Sequence, residues 1–109
     1  MAIKLSTGVV TDVPTVGTAI QVGAASSITE LAVMSVTVQA ASANTNGIWV
    51  GDSAVLGSTR RGIRLTPGQA FTVSAEAVGA DGEEYILGDL WVDTETNGND
   101  FSFLYIKRR

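Results

Sequence analysis

Cysteine and histidine are both absent from this chain of 109 residues. Without cysteine there is no disulfide, no thiolate zinc site and no cysteine nucleophile, and folding needs no oxidising compartment. Without histidine there is no Ser-His-Asp triad, no imidazole metal site and no general base that titrates near pH 7 without tuning. A lysine could be tuned to that role, but Lys4 and Lys107 both lie near the chain ends. We therefore predict that the protein is not an enzyme and uses no cofactor.

Charge is also scarce, because charged residues make up 17% of the chain, against roughly 25% in typical soluble domains. Such a surface must be covered by Ser, Thr, Gly, Asn and small apolar side chains, which suits a protein packed against other proteins. The net charge of -4 argues against a nucleic-acid partner. No apolar run approaches the ~18 residues of a membrane span, and the first residues lack the apolar core of a signal peptide. We expect a chain made in the cytoplasm without a membrane partner.

A period-2 pattern runs through residues 34–40 and predicts a half-buried strand. Its apolar face holds Met34, Val36, Val38 and Ala40, and its polar face holds Ser35, Thr37 and Gln39. Turn-forming residues follow at 41–47 and end in Asn-Gly, after which extended chain resumes at residues 48–50. Two strands joined in this way form either a hairpin or a corner between sheets.

Further short extended segments, separated by turn-forming residues, follow at residues 59–65, 71–75, 85–87, 90–93 and 101–106. A second hairpin signal with Asn-Gly lies at residues 94–100. The last segment is apolar on both faces, which predicts a strand in the centre of its sheet or at an interface. No helical period of ten or more residues occurs. The pattern predicts an all-β protein, an antiparallel β-sandwich or jelly-roll-like barrel.

The first 17 residues are too apolar for a free tail and too often broken by Gly and Pro for a long strand. We predict an extended N-terminal arm at residues 1–17, followed by a single sandwich domain at residues 18–109. An edge strand wrapped on the same subunit is an equal alternative.

A calcium-loop pattern begins at Asp93, with Glu95 and Asn97 at positions 3 and 5 and Gly98 at position 6. Position 12 is Leu104 instead of a carboxylate, and the following segment is predicted to be strand. The main prediction is therefore an ordinary hairpin turn without metal, and a weak cation site at Asp93, Glu95 and Asn97 is the alternative.

Acidic and basic residues are separated along the sequence. Eight acids and no base lie between residues 76 and 100, which predicts a solvated acidic rim. Arg60, Arg61 and Arg64 form a basic patch that is either a solvated face or a contact for an acidic partner surface. This separation suits head-to-tail contact between copies in a ring. The two tryptophans, Trp49 and Trp91, are either interface or carbohydrate-binding anchors or are buried on the second face of a sandwich.

Several segments together resemble small structural proteins of tailed bacteriophages. They are residues 36–40 (VTVQA), 44–52 (NTNGIWVGD), 65–71 (LTPGQAF), 90–93 (LWVD) and 101–105 (FSFLY). In those proteins a strand precedes an Asn-Thr-Gly turn and an Ile-Tyr-Val-Gly segment, and an L-x-P-G turn and a last apolar strand after Asn-Gly-Asp follow. The likeness covers residues 33–106, with Trp49 and Trp91 standing where tyrosine is common.

The resemblance implies a β-sandwich of the virion, most plausibly a head decoration or cement protein. Such a protein binds the outside of the major capsid protein lattice, often as a homotrimer, and stabilises the head. Its capsid contacts are then expected in the arm, at Ile3, Leu5, Val9, Val10 and Val13, by analogy with decoration proteins that grip the shell with an N-terminal arm. Its subunit interface is expected at Arg60, Arg61, Arg64, Trp49 and Trp91. The alternative is a tail, neck or fibre module that binds a receptor or glycan.

Overall fold

Ten strands build the part of the fold that the structure describes. The computed structural model describes residues 3–8, 15–24, 27–74 and 85–108. In chain order the strands are β1 (Ile3–Gly8), β2 (Ile20–Gln21), β3 (Ala32–Val33), β4 (Ser35–Ala40), β5 (Ile48–Gly51), β6 (Ile63–Leu65), β7 (Ala70–Ser74), β8 (Tyr85–Ile86), β9 (Trp91–Thr94) and β10 (Phe101–Arg108). Two short 3₁₀ turns, Gly57–Thr59 and Leu87–Asp89, lie between them.

The strands form two four-stranded antiparallel sheets and one additional pair. Sheet one has the order β1-β10-β4-β7, sheet two has the order β2-β9-β5-β6, and β3 pairs with β8. Five of the strand pairs are nested around the connection between β5 and β6. They are β5·β6, β4·β7, β3·β8, β2·β9 and β1·β10. Together with the contacts β10·β4 and β9·β5, this is the strand order of a jelly roll. The predicted all-β antiparallel sandwich is confirmed.

The core lies between the two sheets and is filled by alternate residues of their strands. The period-2 prediction is confirmed for residues 35–40, because Val36, Val38 and Ala40 all point into the core and the intervening residues do not. It is wrong for Met34, which lies in a bend before β4 and is only half-buried. Facing core residues, each at most 5% exposed, are Val36, Val38, Ala40, Phe101 and Phe103 from sheet one and Ile48, Val50, Leu65 and Val92 from sheet two.

Strand β1 corrects the predicted N-terminal arm. It pairs with β10 along its whole length, from Ile3 opposite Arg108 to Gly8 opposite Phe103. The alternative of an edge strand is therefore the correct interpretation for residues 3–8, and the predicted boundary between residues 17 and 18 is wrong because the sheet already includes β1. Strand β10 lies centrally between β1 and β4, as its two apolar faces predicted.

Both Asn-Gly turns are corners between the sheets. The first joins β4 of sheet one to β5 of sheet two, which is one of the two predicted alternatives. The second joins β9 of sheet two to β10 of sheet one, so the predicted hairpin at residues 94–100 is wrong. A corner needs the same positive φ as a tight hairpin, here +63° at Asn46 and +93° at Gly98, so turn-forming residues alone do not distinguish the two.

Two asparagine side chains tie these corners together. The Asn44 amide donates to the Asp100 carbonyl and accepts from the Asp100 N–H, both at 2.7 Å. The Asn99 amide accepts from the Thr45 N–H at 2.8 Å and donates to the Thr45 carbonyl at 2.7 Å. Each amide thus pairs with backbone as a neighbouring strand would. Because Asn99 is only 2% exposed, water does not compete well for its bonds.

Replacing Asn99 with Ala is expected to lower the free energy of unfolding by about 2 kcal/mol, since two buried hydrogen bonds are lost. For a domain of this size that corresponds to a melting temperature roughly 10 °C lower. Urea unfolding followed by circular dichroism measures the effect. Asn97→Ala is the control, because Asn97 is exposed and accepts a single bond from Val16. If both variants lose the same stability, the corners are held by other contacts.

Candidate interaction surface

The outer face of sheet two is covered by the chain itself. Residues 52–62 return over it between β5 and β6, and Trp49 beneath them is 8% exposed. The loop backbone comes closest to the Trp49 ring at Gly57, where an added Cβ atom would lie 2.8 Å from the indole Cδ1. Glycine at position 57 therefore lets the loop backbone lie on the indole ring. Val55, 4% exposed, is buried in the same layer.

Asp93 anchors two segments on this face. Its Oδ1 accepts the Gly17 N–H at 3.0 Å, and its Oδ2 accepts the Gly57 N–H at 2.8 Å. The side chain is 1% exposed, so the predicted solvated acidic rim is wrong for this residue. The reason is the register, which places Asp93 directly opposite Trp49 on the neighbouring strand and beneath the same covering loops.

Glu95 is held by four N–H donors. Its Oε1 accepts from Gly47 at 3.0 Å and from Arg64 Nη2 at 2.9 Å, and its Oε2 accepts from Trp49 Nε1 at 2.7 Å and from Arg64 Nε at 2.8 Å. These bonds, that from Arg64 first, lower the pKa of Glu95 to about 2 although partial burial opposes the shift. The bidentate contact fixes the geometry of both side chains.

Acid is expected to remove the stability that Glu95 contributes. Its pKa is about 2 in the folded protein and 4.5 ordinarily, so its contribution is present above pH 4.5 and is lost as the pH falls towards 2. At pH 7 the Glu95→Gln variant should be less stable by about 1 kcal/mol, a small value because solvent screens the half-exposed Arg64. Urea unfolding from pH 2 to pH 7, with Glu30→Gln as the charge-matched control, measures the difference. A pH-independent difference would contradict the assignment.

The predicted cation site is not assembled. Asp93 and Glu95 are occupied by the donors described above, and Asn97 accepts the Val16 N–H at 2.9 Å. The oxygens of the three side chains thus accept hydrogen bonds from backbone at residues 16–17, 47 and 57 and from the side chains of Trp49 and Arg64. Within the described ranges, no group of three or more Asp, Glu, His or Cys side chains could hold a metal ion.

The predicted interface residues divide into two groups. Trp49 is buried beneath the loop and hydrogen-bonded to Glu95, so its prediction as an interface anchor is wrong. Arg64 is 42% exposed but is tied to Glu95 within the chain. Arg60 and Arg61 are exposed next to the turn Gly57–Thr59, and Trp91 is half-buried on β9. Those last three remain candidates for contact with a partner.

The outer face of sheet one differs from that of sheet two because a large part of it stays accessible and holds only uncharged residues. We call this surface the open face, and its residues are Ser35, Thr37, Gln39, Thr72, Ser74, Ser102, Leu104 and Ile106. Leu104 and Ile106 are half-buried at its centre, on β10, while Gln39, Thr72 and Ser102 are exposed. The hydroxyls of Thr37 and Thr72 share a hydrogen bond of 2.7 Å. The open face is therefore an uncharged and mostly polar surface with two aliphatic side chains on β10.

Two of the predicted capsid-contact residues lie in the edge strand beside the open face. The register places Leu5 opposite Ile106 and Ile3 opposite Arg108. The other three, Val9, Val10 and Val13, lie outside the described residues. Sequence reasoning identified the outward positions of β4 and the second apolar face of β10, but it did not combine them. The missing information was which strands are neighbours, and no local pattern encodes that.

Strand spacing gives the size of the open face. Its three strands lie about 4.8 Å apart, each with about three outward residues roughly 6.8 Å apart, so the open face covers about 14 Å by 20 Å, or ~300 Å². A stable interface buries ~800 Å² on each partner. One open face alone therefore provides a weak contact.

We compared the chain with protein family models, with curated proteins and with solved structures. Nothing matches. The likeness to bacteriophage virion proteins therefore remains a prediction from sequence motifs. In the described part of the chain, no helix has the length and apolar character needed to cross a membrane.

Proposed function

We propose that this protein is a head decoration, or cement, protein of a tailed bacteriophage, which binds the outside of the major capsid protein lattice and stabilises the head. The observation that carries the proposal is the contrast between the two outer sheet faces. One is covered by residues 52–62, whereas the other holds the uncharged and accessible open face. A jelly roll is common in capsid proteins, but the fold by itself supports no function.

The open face supports a docking role on physical grounds. Covering it desolvates hydroxyls, one amide and two aliphatic side chains, and no charge has to lose its water. A contact of ~300 Å² on each partner is weak. Many copies on a repeating lattice, or three copies joined as a trimer, bind with a combined strength that no single contact has. In such a trimer the exposed Arg60 and Arg61 would contact an acidic surface of the neighbouring copy.

Co-sedimentation of the purified protein with mature and immature capsids of its parent virus tests the proposal. We expect saturable binding, at a number of copies set by the capsid symmetry and with a preference for the mature shell. Binding to neither shell would overturn the proposal. Deletion of residues 1–17 does not provide a clean test, because it removes strand β1 from sheet one and so disturbs the fold.

A glycan-binding tail, neck or fibre module is the second candidate, and Trp91 is the observation that favours it. Trp91 is half-buried on β9, paired with Gln21 of β2 and on the same side of the strand as Asp93. An indole in this position could stack on a sugar ring. Titration with host polysaccharide should then quench the tryptophan fluorescence, and Trp91→Phe should reduce the quenching. A cement protein should show no response.

A further inference from the structure

An apolar cavity of about 230 Å³ opens between the two sheets beside the turn Leu87–Asp89. Val36 and Val73, which are paired across β4 and β7, form the wall on the side of sheet one. Leu87, Leu90 and the ring of Tyr85 form the rest of the wall. The Tyr85 hydroxyl is already satisfied, because it donates to the Ser74 carbonyl at 2.9 Å. The walls therefore offer apolar contact and little hydrogen bonding.

The mouth of the cavity is acidic. Its exposed lining residues are Asp52, Ile86 and Asp89. Asp52 follows β5 and Asp89 precedes β9, and these strands are antiparallel neighbours, with Gly51 opposite Trp91. The two carboxylates are thus brought to the same end of sheet two. Asp52 Oδ1 accepts the Ala54 N–H at 2.9 Å. Within the described ranges, the ion pair between Arg64 and Glu95 is the only one formed, so neither Asp52 nor Asp89 is paired with a basic side chain there.

We propose that this cavity binds a small amphiphilic cation, namely one aromatic ring or a short alkyl chain with a cationic head group. The size fits, because an apolar cavity of ~150 Å³ holds benzene, and 230 Å³ leaves room for a two-carbon chain as well. The apolar part would fill the cavity between the sheets, while the cation would remain at the mouth between the two carboxylates. None of the described residues that line the cavity belongs to the open face, so this proposal does not rest on capsid binding.

Titration of ¹⁵N-labelled protein with three matched probes tests the site. Phenethylammonium, 2-phenylethanol and 3-phenylpropionate share a ring and a short chain but carry a positive, a neutral and a negative group. We expect saturable shifts of the Gly51, Leu87 and Leu90 amides. The cation should bind roughly fivefold more tightly than the alcohol, as two exposed charge pairs provide, and the anion should bind most weakly. Added salt should reduce the preference for the cation.

Variants distinguish the contribution of the acidic mouth to ligand affinity from that of the apolar walls. Asp52→Asn combined with Asp89→Asn should reduce the affinity for the cation to that for the alcohol, while the affinity for the alcohol stays the same. Glu30→Gln removes an exposed acid outside the cavity and should change neither affinity. Val73→Phe should fill the cavity and abolish binding of all three probes.

Two results would overturn the proposal. Equal affinity for cation and alcohol in the unchanged protein would exclude the charged class of ligand. Absence of saturable shifts with every probe, or shifts confined to residues away from the cavity, would exclude the site itself. Either result would leave capsid binding untouched, since co-sedimentation measures that separately.

Discussion

Two glutamates on the open face, Thr72→Glu and Ser102→Glu, are expected to abolish capsid binding. Both positions are exposed, one on the edge strand β7 and one on the central strand β10. A surface docked there would bury two carboxylates without partners, which costs several kcal/mol. A loss of about 3 kcal/mol weakens binding by roughly 100-fold. Co-sedimentation with mature capsids at several protein concentrations measures the loss.

The matched control places the same two charges elsewhere. Ser53→Glu and Ser58→Glu lie on the exposed loop over sheet two, and this variant should bind capsids as the unchanged protein does. Both double variants should unfold within about 1 kcal/mol of the unchanged protein, as expected for surface substitutions. Normal binding by the open-face variant would show that another surface meets the shell. Equal loss in both variants would indicate a general effect of net charge.

Replacing Trp49 with Ala is expected to lower the free energy of unfolding by about 3–5 kcal/mol, the usual cost of removing a buried large aromatic side chain. The indole lies between sheet two and the loop at Gly57, and its N–H donates to Glu95. Its removal therefore leaves a cavity and weakens the attachment of residues 52–62. Because small domains are stable by only ~5–15 kcal/mol, the variant should be close to unfolding. Urea denaturation followed by far-ultraviolet circular dichroism measures the loss.

Two further variants serve as controls for Trp49→Ala. Trp91→Ala should cost less, because Trp91 is only half-buried. Trp49→Phe should lie between the unchanged protein and Trp49→Ala, since it keeps a ring beneath the loop but loses the bond to Glu95. If Trp49→Ala were no less stable than Trp91→Ala, the covering loop would not depend on the indole.

The two acids that the sequence suggested as cation ligands, Asp93 and Glu95, instead accept hydrogen bonds from backbone N–H groups. Asp93 and Glu95 together accept from the backbone N–H groups of Gly17, Gly57 and Gly47, and Arg64 and Trp49 complete the set on Glu95. The bond from Gly57 to Asp93 holds residues 52–62 over sheet two, and the other bonds hold residue 17, the corner at residue 47 and strand β6 on the same face.

Local pattern determined the strands and the class of fold. Alternation over residues 34–40 identified β4 and its buried face, because successive side chains of a strand point to opposite sides. The two apolar faces of residues 101–106 identified β10 as a central strand for the same reason. Turn-forming residues marked both Asn-Gly corners, because a positive φ requires such residues whatever the turn connects.

Tertiary structure alone decided which strands are neighbours and which polar groups are buried. Pairing β1 with β10 joins residues from opposite ends of the chain, and no local signal distinguishes that edge strand from a free arm. Asp93 and Glu95 looked like exposed acids because the loops that cover or contact them come from distant segments. The open face likewise exists only once β10, β4 and β7 lie side by side. These features arise from contacts between residues far apart in sequence, which periodicity and local propensity do not encode.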